Sequence, residues 1–334
     1  IAVFGKTTGR AAFAVFQGGG AGSWPNVWNT ANFVNASRYV AYLPPIGLAW
    51  YGDGSALILG YATTNLTTPK YRVVTMPNTM GGEGNANNVG GSQVNQLQVY
   101  REAGTNNVVL LASNDLGRLV SQRWTGLAWE SQQVVNAYAT YASNQYFDFN
   151  DGMAVYGGND NRAGYRNLNP DTKNWDAINS YSLDIGGSPR HVRYKASSRR
   201  NEKTLVTQDN LGVISVQTWN GAAFGSSQTV TGSIDVIATN DFKRGFDFAY
   251  ESETGDALLV YSNNSAIPQY MTRADGAVQW GAQMPVPDWP GSGTPLWIRL
   301  ESNPDPDSSQ AMLVVMDTNF DLFGAVWNGT NFVS

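Results

Sequence analysis

Short segments of alternating apolar and polar residues recur along the whole chain and predict β-strands. Residues 245–250 alternate, residues 256–261 are apolar after Asp256, and residues 268–272 form a third short segment around an aromatic residue. Each segment is rich in β-branched or aromatic residues and is bounded by Gly, Asn, Asp or Ser, which is typical of strands joined by tight turns. No 3.6-residue period persists for more than about three turns, so the pattern predicts an all-β fold with almost no helix.

A long-period repeat runs through these predicted strands. The sequence Phe-Asp-Phe at 147–149 returns at 246–248, 99 residues later, and the strands that follow it match as well. A second series ends three times in Trp-x-Gly followed by an aromatic residue, at 124–129, 219–224 and 327–332. Both series are variants of one unit of short strands closed by Trp or Phe. Self-similarity at such a period is typical of propellers and solenoids.

The closing aromatic residues divide the chain into units of similar length. The interval between the first two is long enough for two units, which gives seven units of about 48 residues in a 334-residue chain. The closing residues are Trp24, Trp129, Trp175, Phe224, Trp280 and Phe332. Such units suit four-stranded blades, and a closed ring would cover both faces of every sheet. We expect one seven-bladed β-propeller domain over residues 1–334, with an open β-solenoid as the alternative.

The first unit begins at its second strand. Residues 1–4 align with residues 258–261, and nothing in the sequence supplies the strand before them. We therefore expect this chain to be part of a longer repeat or multidomain protein.

The predicted first strands alternate in the residue at their centre. Even-numbered units carry Gly47, Asp148 and Asp247, whereas odd-numbered units carry Gln98, Arg193 and Arg299. Adjacent first strands would bring each Asp close to an Arg, and such pairs are directional enough to fix the order of the blades. We expect inter-blade ion pairs here, with an Arg-lined channel for an anion or sugar acid as the alternative. The residues Trp124, Trp219 and Trp327 are expected to pack between blades.

The composition excludes several classes of function. The net charge is −5 and the Lys and Arg residues form no cluster, which argues against nucleic acid and anionic membranes as partners. Zero Cys and a single His exclude disulfides, thiolate metal sites and multi-histidine metal sites. No apolar run approaches the roughly 18 residues of a membrane span. Abundant Asn, Thr, Ser, Gly and aromatic residues with few Lys and Glu are typical of secreted bacterial β proteins, so we expect an extracellular location.

Catalytic and metal-binding chemistry has little support in the sequence. A pair of catalytic carboxylates could be assembled only from distant residues such as Asp148, Asp184 and Asp247, and His191 stands without a nucleophile motif. We expect no enzyme, with a sialidase-like, glycan-cleaving hydrolase as an alternative. No cofactor is expected, although one loop offers oxygen ligands at alternating positions like the opening of a calcium loop. Its residues are Asp317, Asn319 and Asp321.

Aromatic residues on predicted loops are the better candidates for ligand binding. Trp289 lies in a long Pro- and Gly-rich loop, 285–297, and has no counterpart in the repeat. Trp297 closes that loop, and Trp28 lies in a comparable stretch. Flat rings on loops suit sugar stacking or protein contact, and they also suit plain anchoring of the loop. Together with Arg193 and Arg299, these three Trp residues are the candidate ligand-binding set.

The pattern of 246–251, 255–261, 297–300 and 317–329, with its Trp-Asn-Gly turns, resembles tandem repeats in large exported and surface proteins of bacteria. The resemblance covers nearly all of the chain and implies a non-enzymatic scaffold for binding or adhesion at a cell surface or in a surface filament. The expected partners are proteins or glycans at that surface, or self-assembly. The unit length and the aromatic residues are also loosely similar to fucose-binding propeller lectins. A multivalent carbohydrate-binding lectin is therefore the leading alternative function.

Overall fold

The computed structural model describes residues 2–5, 10–13, 46–52, 56–62, 67–75, 79–91, 93–102, 104–137, 147–158, 160–177, 180–230 and 244–333. Every regular element in these ranges is a β-strand, which confirms the predicted all-β class. None of the described residues belongs to a helix long and apolar enough to span a bilayer. The chain divides into two units, Ile1–Gln145 with Arg166–Ala177, and Tyr146–Tyr165 with Ile178–Ser334.

The first unit contains three antiparallel sheets among its described residues. One consists of β1 (Ala2–Gly5) and β2 (Arg10–Phe13). The next is β3 (Ile46–Tyr51), β4 (Ala56–Tyr61), β5 (Lys70–Thr75) and β6 (Thr79–Met80), with β7 (Gly84–Asn85) also on β5. The third is β8 (Val94–Arg101), β9 (Val108–Asn114), β10 (Leu119–Trp124) and β11 (Gln133–Asn136). Trp24 and Trp28 lie outside the described residues.

The second unit contains four four-stranded antiparallel sheets. The first is β12 (Phe147–Asn150), β13 (Met153–Gly157), β14 (Ala163–Asn167) and β15 (Ser180–Tyr181). The second is β16 (Pro189–Ala196), β17 (Lys203–Asp209), β18 (Ile214–Trp219) and β19 (Phe224–Val230). The third is β20 (Phe246–Tyr250), β21 (Ala257–Tyr261), β22 (Gln269–Arg273) and β23 (Met284–Pro285). The fourth is β24 (Pro295–Ser302), β25 (Ala311–Asp317), β26 (Leu322–Trp327) and β27 (Phe332–Val333).

Two kinds of sheet alternate along the chain, as the residues at the centre of their first strands predict. We call the sheets that begin with β3, β12 and β20 the even sheets, and those that begin with β8, β16 and β24 the odd sheets. Each odd sheet has an irregular register at the start of its first strand, between Val94 and Gln96, Pro189 and His191, and Pro295 and Trp297. The first two strands of the even sheets pair without such a shift. A bulge bends its strand and re-aims the side chains beside it.

The core lies between the faces of successive sheets within each unit. One apolar cluster joins the second and third sheets of the first unit, and it includes Ile58, Leu97 and Leu110. Three further clusters join the successive sheets of the second unit, with Phe246 and Phe248 among their largest buried residues. Both faces of the two middle sheets of the second unit are therefore buried, which explains why β21 is a continuous apolar run rather than an alternating one.

Candidate functional site

A buried ion cluster joins three neighbouring sheets of the second unit. Arg193 of β16 donates from Nη1 to Oδ2 of Asp148 at 2.8 Å and from Nε to Oδ1 of Asp247 at 2.7 Å. Asp148 lies on β12 and Asp247 lies on β20, so one guanidinium connects the first strands of three sheets. All three side chains are buried. The structure thus brings together three of the residues that the alternation singled out.

Each Asp of this cluster also accepts a backbone N–H from the next odd sheet. Asp148 Oδ2 accepts from Tyr194 N at 3.0 Å, and Asp247 Oδ2 accepts from Leu300 N at 3.1 Å. In the first unit Gly47 takes the place of the Asp, and a Cβ added there would lie 2.4 Å from Val99 N, the equivalent amide. The first strands approach so closely at Gly47 that no side chain fits, whereas a carboxylate fills the wider gap elsewhere.

Arg193 and Asp247 stabilise each other's charged form. Burial by itself would raise the pKa of Asp247, but Arg193 and Arg244 outweigh it and hold that pKa well below its ordinary value. Burial would lower the pKa of Arg193, but Asp148 and Asp247 outweigh it and raise that pKa. A catalytic acid of a glycosidase needs a raised pKa, which is the opposite shift. The arrangement suits fixing the register of neighbouring strands.

Arg299 and His191 lie at the border of the ion cluster. Arg299 Nε is 3.9 Å from Asp247 Oδ2, and its Nη2 pairs with Glu301 on the same strand. The side chain of Arg299 is 47% exposed, so it is the accessible member of the cluster. His191 is buried, with its ring 6.5 Å from that of Trp297. Trp297 is partly buried and belongs to the same neighbourhood.

Three aromatic trios fill the grooves between an even sheet and the following odd sheet. In each trio a Tyr from the third strand of the even sheet contacts the Trp of the Trp-x-Gly turn and the closing aromatic residue. The ring centroids lie 5.0–5.7 Å apart. The trios are Tyr71 with Trp124 and Trp129, Tyr165 with Trp219 and Phe224, and Tyr270 with Trp327 and Phe332. Rings at these distances and tilts pack favourably, so these grooves are closed to ligands.

A cleft remains beside Trp175 in the first unit. It is small, with an enclosed volume of about 20 Å³ between β9–β11 and the segment 168–175, which holds about one water molecule. Trp175 forms one wall and donates from Nε1 to Ser121 Oγ at 2.7 Å, which fixes the indole plane. Lys173 has φ of 60°, a backbone conformation that is uncommon for residues other than Gly. The local turn is therefore held in a specific shape.

Three charged side chains line the cleft at Trp175, namely Arg123, Glu130 and Lys173, and Glu102 pairs with both cations from outside it. Arg123 donates from Nε to Glu102 Oε2 at 2.6 Å and from Nη1 to Glu130 Oε1 at 3.1 Å. Lys173 Nζ contacts Glu102 Oε1 at 3.0 Å. Burial by itself would raise the pKa of Glu102, but hydrogen bonds from Arg123 and Lys173 outweigh it and lower that pKa. Two cations and one carboxylate thus lie at the cleft, where they can bind sugar hydroxyls at its mouth.

The equivalent groove at Trp280 in the second unit is filled. Arg273 contacts Glu202 there, donates to Thr218 Oγ1 at 2.9 Å, and lies 5.4 Å from the centroid of the Trp280 ring. In the first unit Leu168 aligns with Arg273, and the space beside Trp175 stays open. Sequence reasoning missed Glu102, Arg123, Glu130 and Lys173, because they come from distant parts of the chain and belong to no repeated motif.

The remaining candidates, Trp289 and Asp317, make contacts that stabilise the fold. Trp289 is half-buried against Phe323, with ring centroids 5.7 Å apart, and packs on the core of the last two sheets. Asp317 Oδ1 accepts the N–H groups of Asn319 and Asp321 at 2.8 and 3.1 Å, and its Oδ2 accepts that of Gly293 at 3.0 Å. The described residues contain no group of three or more His, Cys, Asp or Glu placed to hold a metal ion. Calcium binding at this turn stays a prediction.

No family model matches the sequence, and no curated protein matches it. Solved structures do show similarity. AofleA from Arthrobotrys oligospora has a TM-score of 0.54 at 10% identity, over 88% of this chain and 85% of that chain. The fucose-specific lectin from Aleuria aurantia has a TM-score of 0.51 at 12% identity, over 88% and 95%. A putative 6-phosphogluconolactonase from Bacteroides uniformis has a TM-score of 0.55 at 15% identity, over 90% and 86%.

These similarities define the class of fold, which is β-propeller-like. One of the similar proteins is a lectin and another is a putative lactonase. The same fold supports unrelated functions, so function has to be argued from the site.

Proposed function

We propose that this chain is a non-enzymatic, carbohydrate-binding β-propeller of seven blades, exported to a cell surface. The cleft at Trp175 is the observation that carries the proposal. Arg123, Glu130 and Lys173 line this cleft and can bind sugar hydroxyls at its mouth through charge-assisted hydrogen bonds, above the buried Trp175 indole. The similarity in fold to a fucose-specific lectin supports this proposal.

The filled grooves favour few sugar sites over many equivalent ones. A multivalent lectin needs equivalent open pockets in its repeats. The three aromatic trios fill the grooves from an even to an odd sheet, and Arg273 fills the groove equivalent to the cleft at Trp175. The same observation supports a second candidate function, a scaffold at a cell surface or in a surface filament whose blades are packed for rigidity. The two functions differ in what the cleft at Trp175 does.

A glycan-array screen of the purified chain, with and without calcium, tests the proposal. We expect saturable binding to one class of sugar, weakened about tenfold or more by Arg123→Gln because a hydrogen bond to a charged group is lost. Arg101→Gln removes the same charge from an exposed position on the same sheet and should bind like the parent protein. A blank array, or equal binding by both variants, would favour the scaffold.

A further inference from the structure

An unmatched positive charge lies in the ion cluster of the second unit. Ion pairs extend the cluster of Asp148, Arg193 and Asp247 to four cations and three carboxylates among the described residues. The cations are Arg193, Lys195, Arg244 and Arg299, and the carboxylates are Asp148, Asp247 and Glu301. Arg193 forms short ion pairs with both Asp residues, so fewer carboxylate oxygens are left to pair with the other cations.

Arg244 is the cation that the cluster satisfies least. It is buried, and its Nη2 reaches Asp247 Oδ2 only at 3.4 Å and Ile298 O at 3.0 Å. Its Nε is buried and has no hydrogen-bond partner. Burial lowers the pKa of Arg244 to about 9, with Arg193 and Arg299 adding to the effect and Asp247 opposing it. A buried guanidinium with an unused donor is costly unless something else completes its hydrogen bonds.

The surroundings of Arg244 define what could complete them. The guanidinium lies 4.5 Å from the centroid of the Trp297 ring, and Arg244 pairs with Trp297 in a parallel bridge. Arg299, half-exposed, has its Nε 3.9 Å from the same Asp247 Oδ2 that Arg244 contacts, so both guanidinium groups lie beside one carboxylate oxygen. Asp247 accepts four hydrogen bonds, from Arg193, Phe248, Leu300 and Arg244, so it has little capacity left.

We propose that Arg244, Arg299 and Trp297 form an anion site that takes the carboxylate of a sugar acid. The carboxylate would accept from the free Nε–H of Arg244 and from the exposed guanidinium of Arg299, and would neutralise the excess charge of the cluster. The sugar ring would lie against the free part of the Trp297 indole. The choice of a sugar acid rests on the proposed carbohydrate-binding function, whereas the anion site rests on the cluster alone.

Titration calorimetry with glucuronate, glucose and acetate tests this proposal. We expect glucuronate to bind about tenfold or more tightly than glucose, because only glucuronate brings a carboxylate to the two Arg residues. Equal affinity for glucuronate and glucose would overturn the proposal. Acetate binding as tightly as glucuronate would overturn the assignment to a sugar acid.

Single substitutions locate the glucuronate site in the structure. Arg299→Gln should weaken glucuronate binding about tenfold, and Arg162→Gln, which removes one charge from an exposed position in the same unit, should leave it unchanged. Arg244→Gln should abolish glucuronate binding, provided that circular dichroism shows the variant to be folded. If Arg244→Gln is unfolded, the result for Arg299→Gln tests the site. Equal loss in Arg299→Gln and Arg162→Gln would refute the site.

Failure of the proposed anion site is distinguishable from failure of the proposed sugar site in the cleft at Trp175. Arg123→Gln should weaken binding of the array sugar and leave glucuronate affinity unchanged. Loss of glucuronate binding in Arg123→Gln, with none in Arg299→Gln, would move the ligand to the cleft and overturn this inference. Glucuronate binding together with a blank array for neutral sugars would support the anion site and contradict the cleft.

Discussion

Asp247 accepts a 2.7 Å hydrogen bond from Nε of Arg193, and the two residues lie on the first strands of different sheets. Neither residue is near the other in sequence, and both are buried. This hydrogen bond can form only when the two sheets are in this register, since a shift of either strand by one residue would turn its side chain to the opposite face.

Asp247→Asn should lower the free energy of unfolding by about 3–5 kcal/mol, because it leaves the buried charges of Arg193 and Arg244 with one carboxylate fewer. Urea unfolding followed by Trp fluorescence measures the change. Asp151→Asn is the control, since Asp151 forms a half-exposed pair with Lys203 at 3.0 Å that is worth about 0–1 kcal/mol. Similar losses in the two variants would show that the cluster does not hold the sheets in register.

Lowering the pH should reduce the free energy of unfolding through protonation of Asp247. Because the pKa of Asp247 is lower in the folded chain than in the unfolded chain, its stabilising contribution is complete above the unfolded value of about 3.9 and is lost as pH falls toward the folded value. Glu102 and Glu301 have the same sign of shift. Urea midpoints between pH 6 and pH 2 should fall steeply in the parent protein and less steeply in Asp247→Asn. A slope unchanged by the substitution would contradict this assignment.

Gly47→Ala should lower the stability of the first unit. The added Cβ would lie 2.4 Å from Val99 N, a backbone atom that cannot move aside without shifting a strand. Overpacking of this kind costs about 1–3 kcal/mol. Gly82→Ala is the matched control, because a Cβ there meets nothing within 4 Å. Thermal melting should separate the two variants, and equal melting temperatures would mean that the first strands can separate at Gly47.

Asp317→Ala should destabilise the fold more than Asp317→Asn. Asn114 occupies the equivalent turn of an earlier odd sheet, where its Oδ1 accepts the N–H groups of Leu116 and Arg118 at 3.1 and 2.9 Å. An Asn at 317 can accept from Asn319 and Asp321 in the same way and loses only the bond from the Gly293 N–H, whereas Ala loses all three bonds, at a cost of about 2 kcal/mol or more. Melting curves of both variants with and without calcium make the measurement. A calcium-dependent rise lost in Asp317→Asn would instead identify a metal site.

The local pattern was sufficient to predict the strands. Apolar patterning and turn residues predicted strands at 245–250 and 268–272, and the structure has them at Phe246–Tyr250 and Gln269–Arg273. The Trp-x-Gly series revealed the aromatic residues that pack together, because a turn and the residue that closes it are only a few positions apart. These features depend on short stretches of chain, which is why one sequence contains them.

Arg244 shows what the repeat could not reveal. It has no counterpart in the alternation of Asp and Arg, and the sequence around it contains no motif. Asp247 is only three residues away, but the proximity of Arg244 to Trp297 exists because a parallel bridge joins Arg244 to a strand more than fifty residues later. The ion pairs of Glu102 could not be predicted for the same reason, since they join it to Arg123, 21 residues away, and to Lys173, 71 residues away.

The sequence by itself determined the all-β class, the repeated unit and the alternation of two kinds of sheet, because each is a property of neighbouring residues and their period. Only the tertiary structure decided which grooves are filled and which one stays open at Trp175, and which buried cation lacks a full set of partners. Those outcomes depend on distances between side chains from different sheets. A repeat fixes which residues are equivalent, whereas packing fixes how much space and charge remain between them.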